Sequence, residues 1–177
     1  MLHQVSPLRL WAAVGVLACV IALAGCAAPA TYADPWAYCQ AVGVIDEPDA
    51  RYTGAPMPAA LAQGLHKALE LPESAPTSPL EQNSIFRCVD KKVYACTVGA
   101  NLPCWEKANT SKEPTQEMKD YCAANPTSDF IPAAVTGHAT VYEWNCVEGK
   151  PAAGKQFWQV DSRGFIADIW YEIPKPR

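Results

Sequence analysis

The chain opens with a long apolar run, and the mixed hydrophobic and polar patterns that predict a folded domain come after it. Residues 10–24 carry no charged side chain, whereas charged and polar residues interrupt every later stretch. A run of this kind at the start of a chain is typical of an export leader. The elements of the fold are therefore sought beyond residue 33.

Three segments have the spacing and the end signals of helices. Asp34 is a suitable N-cap and Pro35 a suitable first residue for a helix over residues 34–42. Leucines recur every four residues over 58–70, which predicts a second helix. A third helix is predicted over residues 114–123, since an Asn-Pro pair follows it.

Five segments have the composition or the alternation of β-strands. Residues 90–92 separate the first two as a hairpin turn, and residues 161–164 form a turn that ends in glycine. Residues 71–84, which hold three prolines, are predicted to be a loop. The predicted strands are residues 85–89, 93–98, 136–147, 155–161 and 165–173.

These elements predict an α+β domain over residues 34–177. We expect an antiparallel sheet of about five strands with two or three helices packed on one face. Removing a leader of 25 residues from the 177 would leave 152, which is enough for one domain with a sizeable core. No internal repeat indicates a second domain.

The leader ends in Leu23-Ala24-Gly25-Cys26, which resembles the lipobox of bacterial lipoproteins. The resemblance implies that residues 1–25 are a cleaved signal peptide and that Cys26 carries acyl chains such as palmitate. Residues 26–33 would then be a short lipidated tether. The alternative is an uncleaved membrane helix, because residues 10–28 are nearly long enough to span a bilayer. The small residues near the end and the lack of a basic cluster after it favour cleavage.

A lipidated Cys26 would place the domain in the cell envelope, facing the periplasm, with the membrane as its first partner. If lipoproteins are sorted as in enterobacteria, Ala27 at the next position resembles an outer-membrane signal. The leader holds one of the 14 basic residues and none of the 18 acidic ones, so the mature chain carries a net charge of −5. This mildly acidic balance argues against a nucleic-acid partner.

Eight cysteines are present, and their number fits an exported, disulfide-bonded domain. Cys19 leaves with the leader and Cys26 takes the lipid. An even number of cysteines in an exported chain predicts disulfides, so neither a metal nor a cofactor is expected. A metal or redox site is the alternative, but C-x-x-C is absent. We expect Cys104 to pair with Cys122, among fifteen ways to join the six that remain: Cys39, Cys88, Cys96, Cys104, Cys122 and Cys146.

Two places are candidates for binding, and no motif assigns a catalytic residue. Glu143 lies between Tyr142 and Trp144, and an acid rimmed by aromatic rings can bind a sugar or a cation. Aromatic residues at this spacing are more often sheet core, however. The other candidate is a loop flanked by two cysteines: Asn101, Leu102, Pro103 and Trp105. A structural loop with its tryptophan packed inward is the interpretation we favour there.

Four segments resemble a family of proteobacterial exported proteins with no assigned activity. The similarity lies in Tyr38-Cys39 with Val42-Gly43, and in residues 48–52, 93–104 and 165–172. It extends over most of the mature chain. It implies a shared fold and compartment, and it implies no function.

Three functions are therefore expected in order of preference. The first is a non-catalytic binding or structural module of the envelope, with an envelope protein or a glycan as partner. The second is an inhibitor of an extracellular hydrolase such as a lysozyme, acting through the 101–105 loop. The third is a cell-wall or glycan hydrolase, which would need a concave site holding two acids.

Overall fold

The computed structural model describes residues 29–99 and 102–177. The leader, the lipobox and Cys26 lie outside these residues, so the signal peptide, the lipid anchor and the envelope location stay predictions. Asn101 of the candidate loop also lies outside them. Within the described residues, no helix has the length and apolar character needed to cross a membrane.

The described chain is α+β, with antiparallel strands and three disulfides, as predicted. It forms five α-helices, one short 3₁₀ helix at Ala167–Ile169 and two small sheets. The helices are α1 (Pro35–Val42), α2 (Ala59–Ala68), α3 (Ser78–Asn83), α4 (Gln116–Ala124) and α5 (Ala133–Thr136). The strands are β1 (Ser84–Val89), β2 (Lys92–Thr97), β3 (Tyr142–Val147), β4 (Lys150–Gln156) and β5 (Tyr171–Glu172).

The first two helices form where their local signals predict them. The Asp34 carboxylate accepts a hydrogen bond of 2.7 Å from the backbone N–H of Ala37, and Pro35 stands at the start of α1. In α2, Leu61 and Leu65 are fully buried. The leucine spacing therefore marks the side of α2 that faces the core.

The first sheet has the strand order β1-β2-β5, with both pairs antiparallel. The predicted hairpin between β1 and β2 is confirmed. It turns through Asp90 and Lys91, whose φ angles are 50° and 66°. β5 pairs with the other edge of β2, so the C-terminal residues lie on the sheet that the N-terminal helices cover.

The second sheet contains β3 and β4 only, so the five strands divide into two sheets and do not form one. The strand predicted over 155–161 is wrong, because β4 occupies residues 150–156. The sequence Lys-Pro-Ala-Ala-Gly in β4 has poor β-propensity. This segment forms a strand because it pairs with β3. Likewise, the strand predicted over 165–173 is largely a turn and a 3₁₀ helix that precede β5.

Two helices were not predicted at all. α3 lies inside the segment predicted to be a loop, with Pro79 in its first turn, where proline is well tolerated. α5 is a single turn ahead of the second sheet. α4 was predicted, and the Thr115 hydroxyl caps it by accepting a hydrogen bond from the backbone N–H of Met118.

The core has three clusters, and each contains one disulfide. Cys39–Cys88 lies in the cluster between α1, α2 and the first sheet. Cys96–Cys104 lies in the cluster around Phe165, Ile166 and Trp170. Cys122–Cys146 lies in the cluster between α4 and the second sheet, with Met118, Ile131 and Trp144.

All six domain cysteines are thus in disulfides, but the predicted Cys104–Cys122 pair is wrong. The chain turns back on itself after β2, which brings Cys104 to Cys96 only eight residues away. α4 packs on the second sheet, which brings Cys122 to Cys146 on β3. Spacing along the chain could not reveal either of these approaches.

A candidate binding cleft

A cleft of about 610 Å³ lies beside the second sheet, between the segment around α5 and the residues that follow β4. Its volume is within the range of pockets that hold small ligands. Aromatic and polar side chains share its walls. The lining includes the side chains of Asp129, Phe130, His138, Glu143, Asn145, Phe157 and Trp158.

Phe130 is 66 % exposed, although the backbone that carries it is firmly held. The backbone N–H of Ile131 donates to the carbonyl of Trp144 at 2.7 Å, and the Ser128 hydroxyl donates to the carbonyl of Phe130 at 2.7 Å. Ile131 is buried next to it. A fixed segment therefore presents a large apolar ring to solvent.

Phe157 and Trp158 also line the cleft, directly after β4, which lies across β3 from the segment that carries Phe130; they form the opposite wall. Their ring centroids are 5.3 Å apart, with the planes inclined at 47°. Phe157 is 44 % exposed, and Trp158 is half-buried. The backbone N–H of Phe157 donates to the carbonyl of Val141 at 3.0 Å. This bond holds the wall to the residue that directly precedes β3.

Glu143 is exposed on β3, and the neighbouring Trp144 is buried. The indole N–H of Trp144 donates to the Thr140 hydroxyl at 3.1 Å. Both interpretations of this segment therefore hold in part. Trp144 is core, as the spacing of the aromatic residues indicates, while Glu143 is an acid at an aromatic-lined cleft.

The cleft has acidic character. Asp129 and Glu143 line it, and neither forms an ion pair with any residue that the structure describes. No lysine or arginine stands among the described lining residues. Two lysines adjoin them: Lys112, whose Nζ lies 4.8 Å from the centroid of the Tyr142 ring, and Lys155, which follows the lining residue Gly154 in sequence. An anionic ligand would thus meet two carboxylates without ion pairs among the lining residues, with ammonium groups only outside the lining.

The 101–105 loop lies elsewhere, and the structure keeps its described residues apart from this cleft. Leu102 is half-buried and Pro103 is buried, whereas Trp105 is 55 % exposed. The interpretation in which Trp105 packs inward is therefore wrong. Trp105 borders a second cleft of about 430 Å³, together with Tyr52, Phe86 and the loop around Asp46.

Sequence reasoning found Glu143 but missed Phe130 and Phe157. Each of these aromatic residues follows a polar one, Asp129 and Gln156, and neither belongs to a periodic pattern. An isolated aromatic residue of this kind is equally compatible with a surface or a core position. The sequence offered no signal that would bring the two rings to opposite walls of one cleft.

The described residues contain no group of three or more His, Cys, Asp or Glu side chains arranged to hold a metal ion. Comparison with models of protein families, with curated proteins and with solved structures found no significant match. A functional proposal for this chain therefore depends on its own cleft and surface chemistry.

Proposed function

We propose that this chain is a lipid-anchored module of the bacterial cell envelope that binds an envelope component without catalysis. The cleft between Phe130 and Phe157 is the binding surface. The observation that carries the proposal is the exposure of these two rings, 66 % and 44 %, on opposite walls of a cleft that also holds carboxylates.

Exposed rings in a concave site are a substantial source of binding energy. Burying apolar surface gains about 25 cal/mol per Å², so covering two phenylalanine rings favours a complex strongly. Large apolar groups exposed together, rimmed by polar residues, mark interaction sites in proteins. Because the backbone of one wall is hydrogen-bonded to β3 and that of the other to Val141 just before β3, little conformational entropy would be lost on binding.

The position of the tether supports the same proposal. Tyr32, which follows the predicted anchor, pairs with Tyr52 beside the first core cluster, whereas the cleft is built on the second sheet. The first described residues after the anchor thus pack beside the first core cluster, whereas the binding surface is built on the second sheet. A lipid on Cys26 would hold the domain at the membrane and leave the cleft open to the periplasm.

Sedimentation with envelope material tests the proposal. The mature chain, residues 26–177 with Cys26→Ser, would be produced without leader or lipid and mixed with purified cell walls and outer-membrane vesicles. We expect it to sediment with one of these fractions. The double variant Phe130→Ala/Phe157→Ala should bind at least tenfold more weakly, a change of about 1.4 kcal/mol.

Matched control variants keep this experiment specific. Val147→Ala and Val44→Ala remove exposed apolar side chains elsewhere, 52 % and 44 % exposed. Both should bind as the unsubstituted chain does. Equal binding by the cleft double variant, or the absence of binding to either fraction, would contradict the proposal.

Inhibition of an extracellular hydrolase is a second candidate, favoured by Trp105. This ring is exposed one residue after Cys104, whose disulfide to Cys96 closes the loop. Rigid loops with an exposed aromatic residue are suited to enter a partner's cleft. A lysozyme lysis assay tests this function, and lysis unchanged at saturating protein would exclude inhibition of that lysozyme.

Hydrolysis of glycans is the competing enzymatic function, because the cleft holds two carboxylates, Asp129 and Glu143. Two acids at a sugar site are the basic requirement of most glycosidases. Prolonged incubation with purified cell walls, followed by chromatography of released fragments, separates the two functions. Binding without any released fragment is the outcome that we expect.

A further inference from the structure

We infer that the ligand of the cleft is a short neutral glycan, such as a segment of an oligosaccharide chain. This inference rests on the proposed binding function and names its ligand class. It depends on three properties of the cleft: the exposed rings, the mixture of hydrogen-bonding groups and the absence of lysine and arginine from its described lining.

The rings offer the apolar half of a sugar site. One face of a pyranose ring presents mainly C–H groups, which pack on an aromatic face and remove it from water. Phe157 and Trp158 are inclined to each other at 47°, and Phe130 stands on the other wall. A ligand with more than one such face can therefore contact both walls.

The polar groups offer the other half. Asp129 and Glu143 accept hydrogen bonds, while the Asn145 amide and the His138 imidazole both donate and accept. Sugar hydroxyls are donors and acceptors at once, so they match such a mixed set. A simple organic cation would use the rings and the carboxylates, but it would leave the donor groups of Asn145 and His138 without partners.

Charge excludes the anionic members of the class. No lysine or arginine lines the cleft in the described residues; Lys112 contacts the Tyr142 ring, and Lys155 follows the lining residue Gly154. Phosphorylated or carboxylated sugars would be repelled by the two carboxylates. Neutral hexose and N-acetylhexosamine chains have both the apolar ring faces and the hydroxyl groups that fit this lining. The cleft volume of about 610 Å³ suits a segment of a few sugar rings.

Titration with defined oligosaccharides tests the inference, with tryptophan fluorescence as the readout because Trp158 lines the cleft. The probes are tetra-N-acetylchitotetraose, cellotetraose, maltotetraose and tetramethylammonium. The protein is the exported, lipidated chain, held in a detergent that has no sugar headgroup. We expect saturable binding of at least one neutral tetrasaccharide, and the preferred one identifies its sugar.

Three substitutions test whether glycan binding takes place in the cleft. Phe157→Ala and Glu143→Gln should each weaken glycan binding at least tenfold, and the exposed Glu113→Gln, outside the cleft, should leave it unchanged. Thermal unfolding of each variant checks that the fold is retained. If Phe157→Ala lowers the melting temperature, Phe130→Ala provides the same test from the other wall.

The outcomes separate the ligand class from the binding function itself. Saturation by tetramethylammonium alone would overturn the glycan assignment. The absence of binding to every tetrasaccharide at millimolar concentration would overturn it too. If envelope sedimentation still depends on Phe130 and Phe157 in that case, the binding function stands and only its ligand is different.

Discussion

Arg87 and Asp161 form an ion pair beneath the surface, and it joins β1 to the turn that precedes β5. The Arg87 side chain is 2 % exposed. Its guanidinium carbon lies 4.5 Å from the centroid of the Phe165 ring and 4.2 Å from that of the Trp170 ring. One buried cation thus holds together residues 74 positions apart.

Removing the charge of Asp161 should destabilise the protein markedly. In Asp161→Asn, the amide oxygen can still accept the backbone N–H groups of Arg163 and Phe165, but Arg87 is left buried without its counter-ion. We expect the free energy of unfolding to fall by about 3–5 kcal/mol in urea denaturation. Asp161→Ala should lose about 1 kcal/mol more, because the turn bonds also disappear. A loss below 1 kcal/mol in Asp161→Asn would contradict this role of the pair.

Stability should decrease at acidic pH because of two aspartates. Hydrogen bonds from Arg163, and then from Lys107, hold the pKa of Asp46 below its usual value despite its burial. Burial raises the pKa of Asp161, but hydrogen bonds from the Phe165 backbone and from Arg87 outweigh it and keep that pKa low.

Both carboxyls bind protons more weakly in the folded protein than in the unfolded chain, where an aspartate pKa is about 3.9. Their contribution to stability is therefore fully present above about pH 5 and is lost as the pH falls through the lowered values. Urea denaturation between pH 7 and pH 2.5 measures this loss. In Asp46→Asn, the free energy of unfolding should fall less steeply with decreasing pH below pH 4. An unchanged pH dependence in this variant would argue against a role of Asp46 in acid sensitivity.

The three disulfides should contribute unequally to the free energy of unfolding. Cys39–Cys88 spans 49 residues, Cys122–Cys146 spans 24 and Cys96–Cys104 spans 8. Loop-closure entropy predicts losses of about 4, 3.5 and 2.5 kcal/mol when each pair is replaced by serines. Peptide mapping without reduction verifies the three pairs first. The reverse order of destabilisation would show that local packing, and not chain closure, dominates.

The close approach of α2 to the C-terminal strand depends on Gly64. A Cβ atom at this position would overlap the buried side chain of Ile173. Overpacking costs up to about 3 kcal/mol, while alanine gains about 1 kcal/mol in helix propensity over glycine. Gly64→Ala should therefore lose about 2 kcal/mol in thermal or urea unfolding. Gln63→Ala, at an exposed position of the same helix, should change little, and equal effects in the two variants would contradict the close packing.

The lipid anchor leads to a separate prediction at Cys26. Cys26→Ser should remove labelled palmitate from the chain and release it from the membrane fraction, since lipid attachment needs the thiol. A leader variant that keeps the cysteine, such as Leu8→Ile, should behave as the unsubstituted chain does. Undiminished label in Cys26→Ser would exclude this position as the site of lipidation.

Local sequence signals were sufficient to predict the elements whose conformation depends on neighbouring residues. Asp34 and Pro35 start α1, and the leucine spacing marks α2, because cap and amphipathic patterns act within one helix. β4 could not be predicted, since Pro151 and Gly154 disfavour a strand and only pairing with β3 makes one. The disulfide partners are likewise a result of tertiary packing.

The residues of the cleft likewise divide into those that local sequence predicted and those that tertiary packing brings together. Glu143 was a candidate because its aromatic neighbours adjoin it in sequence, whereas Phe130 and Phe157 come together only after the second sheet has formed. Trp105 was expected to pack inward, yet its ring is exposed although the neighbouring Cys104 is buried in its disulfide with Cys96.

Hydrogen–deuterium exchange with solubilised cell-wall fragments is the most direct test of the central claim, that the cleft beside the second sheet is the binding surface. Exchange would be compared in the exported chain with and without the fragments. We expect protection of residues 129–138 and 154–158, and no change at residues 102–108. Protection confined to residues 102–108, with the cleft unchanged, would contradict the account and favour the Trp105 surface.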